Sequence, residues 1–143
     1  MLLRSAAFAA CADLQAGGIQ YEEKSGICSI FNPLFTSSFR PLLDKGIEVS
    51  ILVTPQVYER LKKEFGANLR EFFTFGSTSF YVCPEKIEFT HVVTDRFLSL
   101  TLPFLDGTYD PGQHIFCFDS AAIRWGEDLF AYYRDRSEKI TEM

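Results

Sequence analysis

The side chains best suited to chemistry in this chain include a histidine within a run of alternating apolar residues. His91 lies in step with Ile87, Phe89 and Val93, which places it on the apolar face of a predicted strand. A histidine in that position is either a core residue with a hydrogen-bonded ring or a polar group that lines a small-molecule pocket. Both interpretations stay open from the sequence.

A second group lies in the turn-rich segment that follows Phe104. Asp106, Tyr109 and Asp110 place two carboxylates near a phenol, which suits the binding of a cation or a polar effector. Aspartates that cap their own turn explain the same residues equally well. Asp95 and Arg96 fall between two predicted strands and indicate a tight turn.

A third group follows the ends of two predicted parallel strands, at Asn32 and Thr54. In an open α/β sheet, ligands bind in the crevice beyond the carboxyl ends of the strands, so these two side chains are placed to offer hydrogen bonds. Most aromatic residues near these ends are typical of a core. The candidate ligand-binding residues are Phe31, Asn32, Thr54, Tyr81, His91, Asp106, Tyr109, Asp110 and Trp125.

No catalytic motif accompanies these groups. The sequence lacks G-x-S-x-G, H-E-x-x-H, the P-loop pattern and G-x-G-x-x-G, so we predict no catalytic residue, no metal site and no cofactor. Cysteines stand at positions 11, 28, 83 and 117 without a C-x-x-C pair. This spacing favours reduced thiols in a cytoplasmic protein, with redox sensing or metal capture as the alternatives.

Length and composition favour one globular domain. A chain of 143 residues with 47% hydrophobic residues is long enough to bury a core. The net charge of −5 comes without a basic run, so the sequence shows no basic patch of the kind that binds nucleic acid. No run of apolar residues approaches the ~20 needed to cross a bilayer. We expect a helix or linker over 1–26 and one folded domain over 27–143.

The element order is predicted from periodicity and from turn residues. Tyr21–Gly26 is polar and predicts a loop, and the strand–helix–strand unit that follows predicts a parallel pair. The order β-α-β-α-β-β-β-β-α indicates an α/β (α+β) fold, a mixed sheet of about six strands with covering helices. The predicted strands cover 27–31, 47–53, 78–83, 87–94, 98–104 and the segment before Asp119, with 78–83 and 87–94 forming a hairpin; the predicted helices cover 35–45, 55–65, 68–75 and 119–140.

The last helix closes the sheet. Asp119 or Ser120 is the expected N-cap, since a short side-chain oxygen accepts from an amide of the first turn. One apolar stripe is expected to face the sheet. The stripe consists of Ala122, Gly126, Leu129, Phe130 and Tyr133, with Ile123 and Trp125 at its margins.

Several separated motifs occur in the same order as in one protein family. They are Leu43–Thr54, Phe80–Cys83, Val92–Leu100, Asp106–Asp110 and Trp125–Tyr133. Together they resemble the effector domain of archaeal winged-helix transcriptional regulators, the methanogenesis regulatory protein family found chiefly in methanogens. The resemblance covers roughly residues 27–140.

The resemblance implies a non-catalytic, effector-sensing domain that dimerises. In that family a winged helix-turn-helix domain precedes this one, so DNA binding would come from a domain missing from this chain. The implied partners are an unknown small-molecule effector and a second copy of the chain, with no membrane. Tyr132 and the N-terminal helix are the candidate dimer contacts.

The domain is also similar in outline to one half of a phospholipase D-like fold. The His-x-Lys pattern of such enzymes is missing, since Val92-Val93 follow His91 and Ile115-Phe116 follow His114. A phospholipase D-like phosphodiesterase and a dimerisation module without a ligand are the two alternatives to effector sensing.

Overall fold

The computed structural model describes residues 22–30, 35–106, 108 and 115–142. Seven strands form one mixed sheet in these residues, in the order β6-β5-β4-β1-β2-β3-β7. The strands are β1 Glu23–Cys28, β2 Glu48–Val53, β3 Thr78–Val82, β4 Thr90–Thr94, β5 Leu98–Thr101, β6 Ile115–Cys117 and β7 Glu138–Ile140; the helices are α1 Phe35–Asp44, α2 Pro55–Thr74 and α3 Ser120–Arg134. The mixed-sheet fold class predicted from the sequence is confirmed.

The first three strands are parallel, and the others are antiparallel to their neighbours. Parallel neighbours need a crossover, which α1 and α2 supply. Both helices pack on the same side of the sheet, here named the first face, where Leu42, Leu61 and Phe72 contact a core that includes Val49 and Phe80. The predicted β-α-β unit is therefore confirmed.

Helix α3 covers the opposite side of the sheet, here named the second face. Phe130 of α3 joins Ile27, Leu52, Cys83 and Ile87 in a smaller buried cluster. Gly126 and Phe130 of the predicted stripe are buried, and the Asp119 side chain accepts from the Ala121 amide as the predicted N-cap.

Gly46 ends the turn after α1 in a backbone conformation that favours glycine. Its φ of +76° lies in the left-handed region, and its amide donates to Leu43 O while the Ile47 amide donates to Leu42 O. The predicted end of this helix near residue 45 is confirmed. The predicted break near Gly66 is instead a kink at Phe65 within one continuous α2.

Three predictions about strands were wrong. Residues 23–26 are the start of the central strand β1, and Lys24 there is only 2% exposed, whereas the polar sequence predicted a loop. The predicted hairpin of β3 with β4 does not form, because β3 pairs with β2 and β7 while β4 pairs with β1 and β5. The chain after Arg134 leaves the helix and forms β7, which adds the seventh strand. The expected N-terminal helix lies outside the described residues.

Candidate functional site

A cleft of about 230 Å³ opens on the second face, between α3 and the strands beside it. It is built from four strands and one helix, so no single stretch of sequence contains it. The lining residues are Glu23, Ser25, Ser50, Tyr81, Val93, Thr94, Glu127, Phe130 and Arg134.

The floor of the cleft is a row of small hydroxyl side chains. Ser25 of β1 is in register with Ser50 of β2, which is in register with Ser79 of β3. Registered residues on neighbouring parallel strands lie ~4.8 Å apart and point to the same face of the sheet. Since serine is small, this row leaves space under α3 that larger side chains would fill.

The hydroxyl groups of Ser25 and Ser50 are available to a ligand. Both residues are half-buried, and within the described part of the chain neither hydroxyl has a hydrogen-bond partner. A hydroxyl both donates and accepts, so the floor offers two donors and their acceptor lone pairs.

Two aromatic rings form one wall. Tyr81 of β3 meets Phe130 of α3 edge to face, with ring centroids 6.2 Å apart and an interplanar angle of 80°. Phe130 is buried and Tyr81 is half-buried, so the wall is fixed on its helix side and accessible at the tyrosine. Of the predicted site residues that the structure describes, Tyr81 lines the cleft.

Charged side chains surround the mouth. Glu23, Glu127 and Arg134 are exposed and line the opening. Partial burial raises the pKa of the Glu23 carboxyl, and the nearby negative charges of Asp95 and Glu127 raise it further. The acidic side of the mouth is therefore a region of negative potential.

His91 is a core residue. Its ring has no exposed surface, and Nε2 donates to Gly126 O of α3 at 2.8 Å. Desolvation lowers the pKa of His91 to about 4, so the ring is neutral at physiological pH. The ring joins strand β4 to helix α3 and does not line the cleft.

Thr54 and Asp106 serve local backbone structure. Thr54 is the N-cap of α2, its Oγ1 accepting from the Val57 amide at 3.5 Å, and it is 8% exposed. Asp106 Oδ1 accepts from the amide and the hydroxyl of Thr108, at 2.9 and 2.7 Å, and these hydrogen bonds lower the pKa of its carboxyl.

Trp125 is a further predicted site residue that does not line the cleft. It lies on α3 and is 51% exposed. Phe31, Asn32, Tyr109 and Asp110 lie outside the described residues. The cleft also lies toward the amino end of β1 and not at the carboxyl ends near Thr54, where the sequence predicted it.

The turn between β4 and β5 is held by Thr94, which no sequence motif marks as important. Thr94 Oγ1 accepts from the amides of Arg96 and Phe97, both at 3.0 Å, while Asp95 accepts from the Glu22 amide at 3.0 Å. Asp95 thus ties the start of β1 to this turn, which fixes Thr94 and Glu23 at one end of the cleft. The predicted turn at Asp95-Arg96 is confirmed.

The cleft offers hydroxyl, carboxylate and guanidinium groups that can bind a polar ligand. The lining residues include neither histidine nor cysteine, and the carboxylates among them, Glu23 and Glu127, lie at the exposed mouth of the cleft. Among the residues that the structure describes, no group of three or more His, Cys, Asp or Glu side chains is arranged for a metal ion. Cys28 and Cys83 are buried thiols, and burial raises the pKa of Cys28.

None of the helices in the described residues is both long and apolar enough to span a bilayer.

The fold is shared with an archaeal protein of known structure. A solved structure of TrmBL2, described as an archaeal chromatin protein with a novel mode of DNA binding, superposes with a TM-score of 0.72. The two sequences are 15% identical, and the match covers 96% of this chain and 52% of that one. At this level of identity the likeness shows a shared fold.

The sequence then identifies the family. Residues 20–136 match the family described as the middle domain of methanogenesis regulatory protein FilR1, and the chain belongs to this family. The methanogenesis regulatory protein FilR1 of Methanothrix harundinacea (strain 6Ac) is 29% identical over 113 residues. That match covers 77% of this chain but 25% of the relative, so this chain corresponds to about a quarter of that regulator. The resemblance seen in the sequence motifs is confirmed.

Proposed function

We propose that this chain is the effector-sensing domain of an archaeal transcriptional regulator that acts inside the cell, and that its effector binds in the cleft under α3. The observation that carries the proposal is the open cleft with two free hydroxyl groups on its floor. Ligand pockets combine a partly apolar wall with a few converging polar groups, and this cleft has both.

The position of the cleft suits a sensor because a ligand in it would contact a helix and a sheet at once. Glu127, Phe130 and Arg134 belong to α3, whereas Ser25 and Ser50 belong to the central strands. A ligand that bridges them favours the arrangement of α3 to which it binds best, and this differential affinity is what shifts a population. Movement of α3 is then the signal passed to the rest of the regulator.

DNA binding belongs, in this proposal, to a winged-helix domain outside these residues. The net charge of −5 without a basic run gives this chain little attraction for phosphate groups.

We further propose that the domain works as a homodimer, since paired half-sites on DNA call for paired subunits. Tyr132, half-exposed with the Arg136 guanidinium 3.6 Å above its ring centre, is the candidate contact among the described residues. A strictly monomeric mass by light scattering would contradict this part.

The two alternatives receive less support. A phosphodiesterase needs a histidine within reach of a phosphate group. Within the described part of the chain the histidine is His91, which is enclosed and bonded to Gly126, while His114 lies outside the described residues. A dimerisation module without a ligand is expected to have a closed surface, and the cleft argues against it.

A thermal-shift screen with two matched variants tests the proposal. Ser50→Leu fills the floor of the cleft, while Ser79→Leu places the same side chain in the same serine row outside the lining. Small polar metabolites that stabilise the unchanged protein are expected to stabilise Ser79→Leu equally and to lose their effect on Ser50→Leu. At a ligand concentration of 100 times Kd, the stabilisation is about 2.7 kcal/mol.

Circular dichroism first establishes that both variants are folded. Stabilisation that is the same in all three proteins would show that the ligand binds elsewhere, and a library without any stabilising compound would contradict effector sensing in this cleft.

A further inference from the structure

The charges around the cleft are separated by sign. Glu23 and Glu127 line one part of the mouth, and Glu48 adds to them because it is in register with Glu23 on the neighbouring strand. Asp95 lies close enough to raise the pKa of Glu23. In the part of the chain that the structure describes, neither Glu23 nor Glu127 has an ion-pair partner. These carboxylates are therefore able to bind a cationic group.

The opposite part of the mouth is basic. Arg134 lines the cleft, and Lys139 of β7 is in register with Tyr81, so both of these residues belong to the second face. The contact of Arg134 with Asp135 is 3.6 Å between Nε and Oδ1 and is exposed, which leaves the guanidinium able to bind an anion as well.

The two ends are too far apart for one compact charged group to reach both. Glu127 and Arg134 are seven positions apart on α3, which corresponds to about 10 Å along the helix axis. Phe130 lies between them on α3 and lines the same cleft. A molecule that reaches both ends needs an apolar middle several bonds long.

The volume sets the size of such a molecule. A cavity of 150 Å³ holds benzene, so a cleft of about 230 Å³ suits roughly nine non-hydrogen atoms.

We propose that the cleft recognises a small linear zwitterion, with an ammonium group between Glu23 and Glu127 and a carboxylate on Arg134. The apolar chain of the ligand lies against Phe130 and Tyr81. The Ser25 and Ser50 hydroxyls hydrogen-bond to its ammonium end, since they form the row next to Glu23 and Glu48 on the same face. This inference rests on the proposed effector-sensing function and assigns the chemical class of the effector.

Four probes separate the contributions of charge and length. 6-Aminohexanoate carries both charges at the ends of an apolar chain, hexylamine carries only the cation, hexanoate only the anion, and glycine both charges too close together. Calorimetric titration at low ionic strength is the measurement, because salt screens exposed charges. We expect 6-aminohexanoate to bind roughly five- to tenfold more tightly than hexylamine, and hexanoate and glycine to bind weakest.

Substitutions on α3 test which protein side chain binds each charge of the ligand. Glu127→Gln is expected to weaken both 6-aminohexanoate and hexylamine about fivefold, whereas Arg134→Gln weakens only the zwitterion, to the level of hexylamine. Asp128→Asn and Arg124→Gln are the matched controls, since both residues are exposed on α3 and neither lines the cleft. The controls are expected to leave all four affinities unchanged.

The outcomes distinguish failure of this inference from failure of the proposed function. The proposal that the cleft recognises a zwitterion would be overturned by any of three results. These are a preference for hexanoate, no binding of any of the four probes, and equal effects of Glu127→Gln and Asp128→Asn. If an uncharged ligand then stabilises the unchanged protein but not Ser50→Leu, effector sensing stands with another class of ligand. If Ser50→Leu alters no ligand response, both proposals fail.

Discussion

Replacing Gly126 by valine is expected to lower the free energy of unfolding by about 2–3 kcal/mol, because α3 lies too close to the sheet for any side chain there. A Cβ atom at this position would lie 2.7 Å from Leu98 Cδ1 and 3.1 Å from Val93 Cγ2. The end of Leu98 has some freedom to move, but Val93 is buried and branched at Cβ, on a central strand. The loss of a helical glycine offsets less than ~1 kcal/mol of this strain.

The same substitution is expected to disturb the histidine contact. Lifting α3 from β4 lengthens the hydrogen bond from His91 Nε2 to Gly126 O, now 2.8 Å. Gly76→Val is the matched control, since a Cβ there would meet no atom within 4 Å. Chemical denaturation of both variants measures the difference. Equal unfolding free energies for Gly126→Val and Gly76→Val would contradict the close approach of α3 to the sheet.

Acidification is expected to destabilise the domain by up to about 3 kcal/mol through His91 alone. Its pKa falls from 6.5 to about 4 on folding because burial removes water from the charged form. In the unfolded chain His91 therefore binds a proton below pH 6.5, whereas in the folded chain it binds that proton only below about pH 4. The stabilisation is complete above the unfolded pKa, and it is lost as the pH falls through this window.

His91→Gln separates this contribution from those of the carboxylates. Glutamine can still donate to Gly126 O but does not titrate, so the variant is expected to be less stable at neutral pH and less sensitive to acid. Unfolding free energies of both proteins measured across the window give the comparison. Parallel profiles for the two proteins would show that His91 is not the group that titrates.

Local sequence patterns predicted the elements better than they predicted the pairing of strands. The Thr54 cap and the positive φ of Gly46 depend on a few neighbouring residues, so the sequence contains what determines them. The place of β1 at the centre of the sheet depends on β2 and β4, which pair with it on either side. Polar residues such as Lys24 and Ser25 therefore form a strand that their own propensities do not favour.

Strand partners were the main source of error. Strands β3 and β4 are close in sequence, and the short connection suggested a hairpin. In the structure β1 lies between β4 and β2, which separates β3 from β4. Periodicity reports which face of a strand is buried and carries no information about its neighbour, so this order was not predictable from one sequence.

The candidate site was mostly missed for the same reason. Tyr81 was identified as an aromatic residue near a strand end, but Ser25 and Ser50 have no motif that distinguishes them from any other serine. Their importance comes from the register that places them side by side and from Gly126, which lets α3 approach the sheet. Small residues at equivalent positions of neighbouring parallel strands are the sequence signal that could have located this cleft.

The most direct test of the account is a two-dimensional ¹H–¹⁵N NMR titration of this chain with a mixed library of zwitterionic, singly charged and neutral polar fragments. The account predicts that a fragment which binds shifts the amide signals of Ser25, Ser50 and Tyr81 together with those of α3 around Phe130. Shifts confined to residues outside the cleft, or an unchanged spectrum with every fragment at millimolar concentration, would contradict the claim that this domain receives a small-molecule effector there.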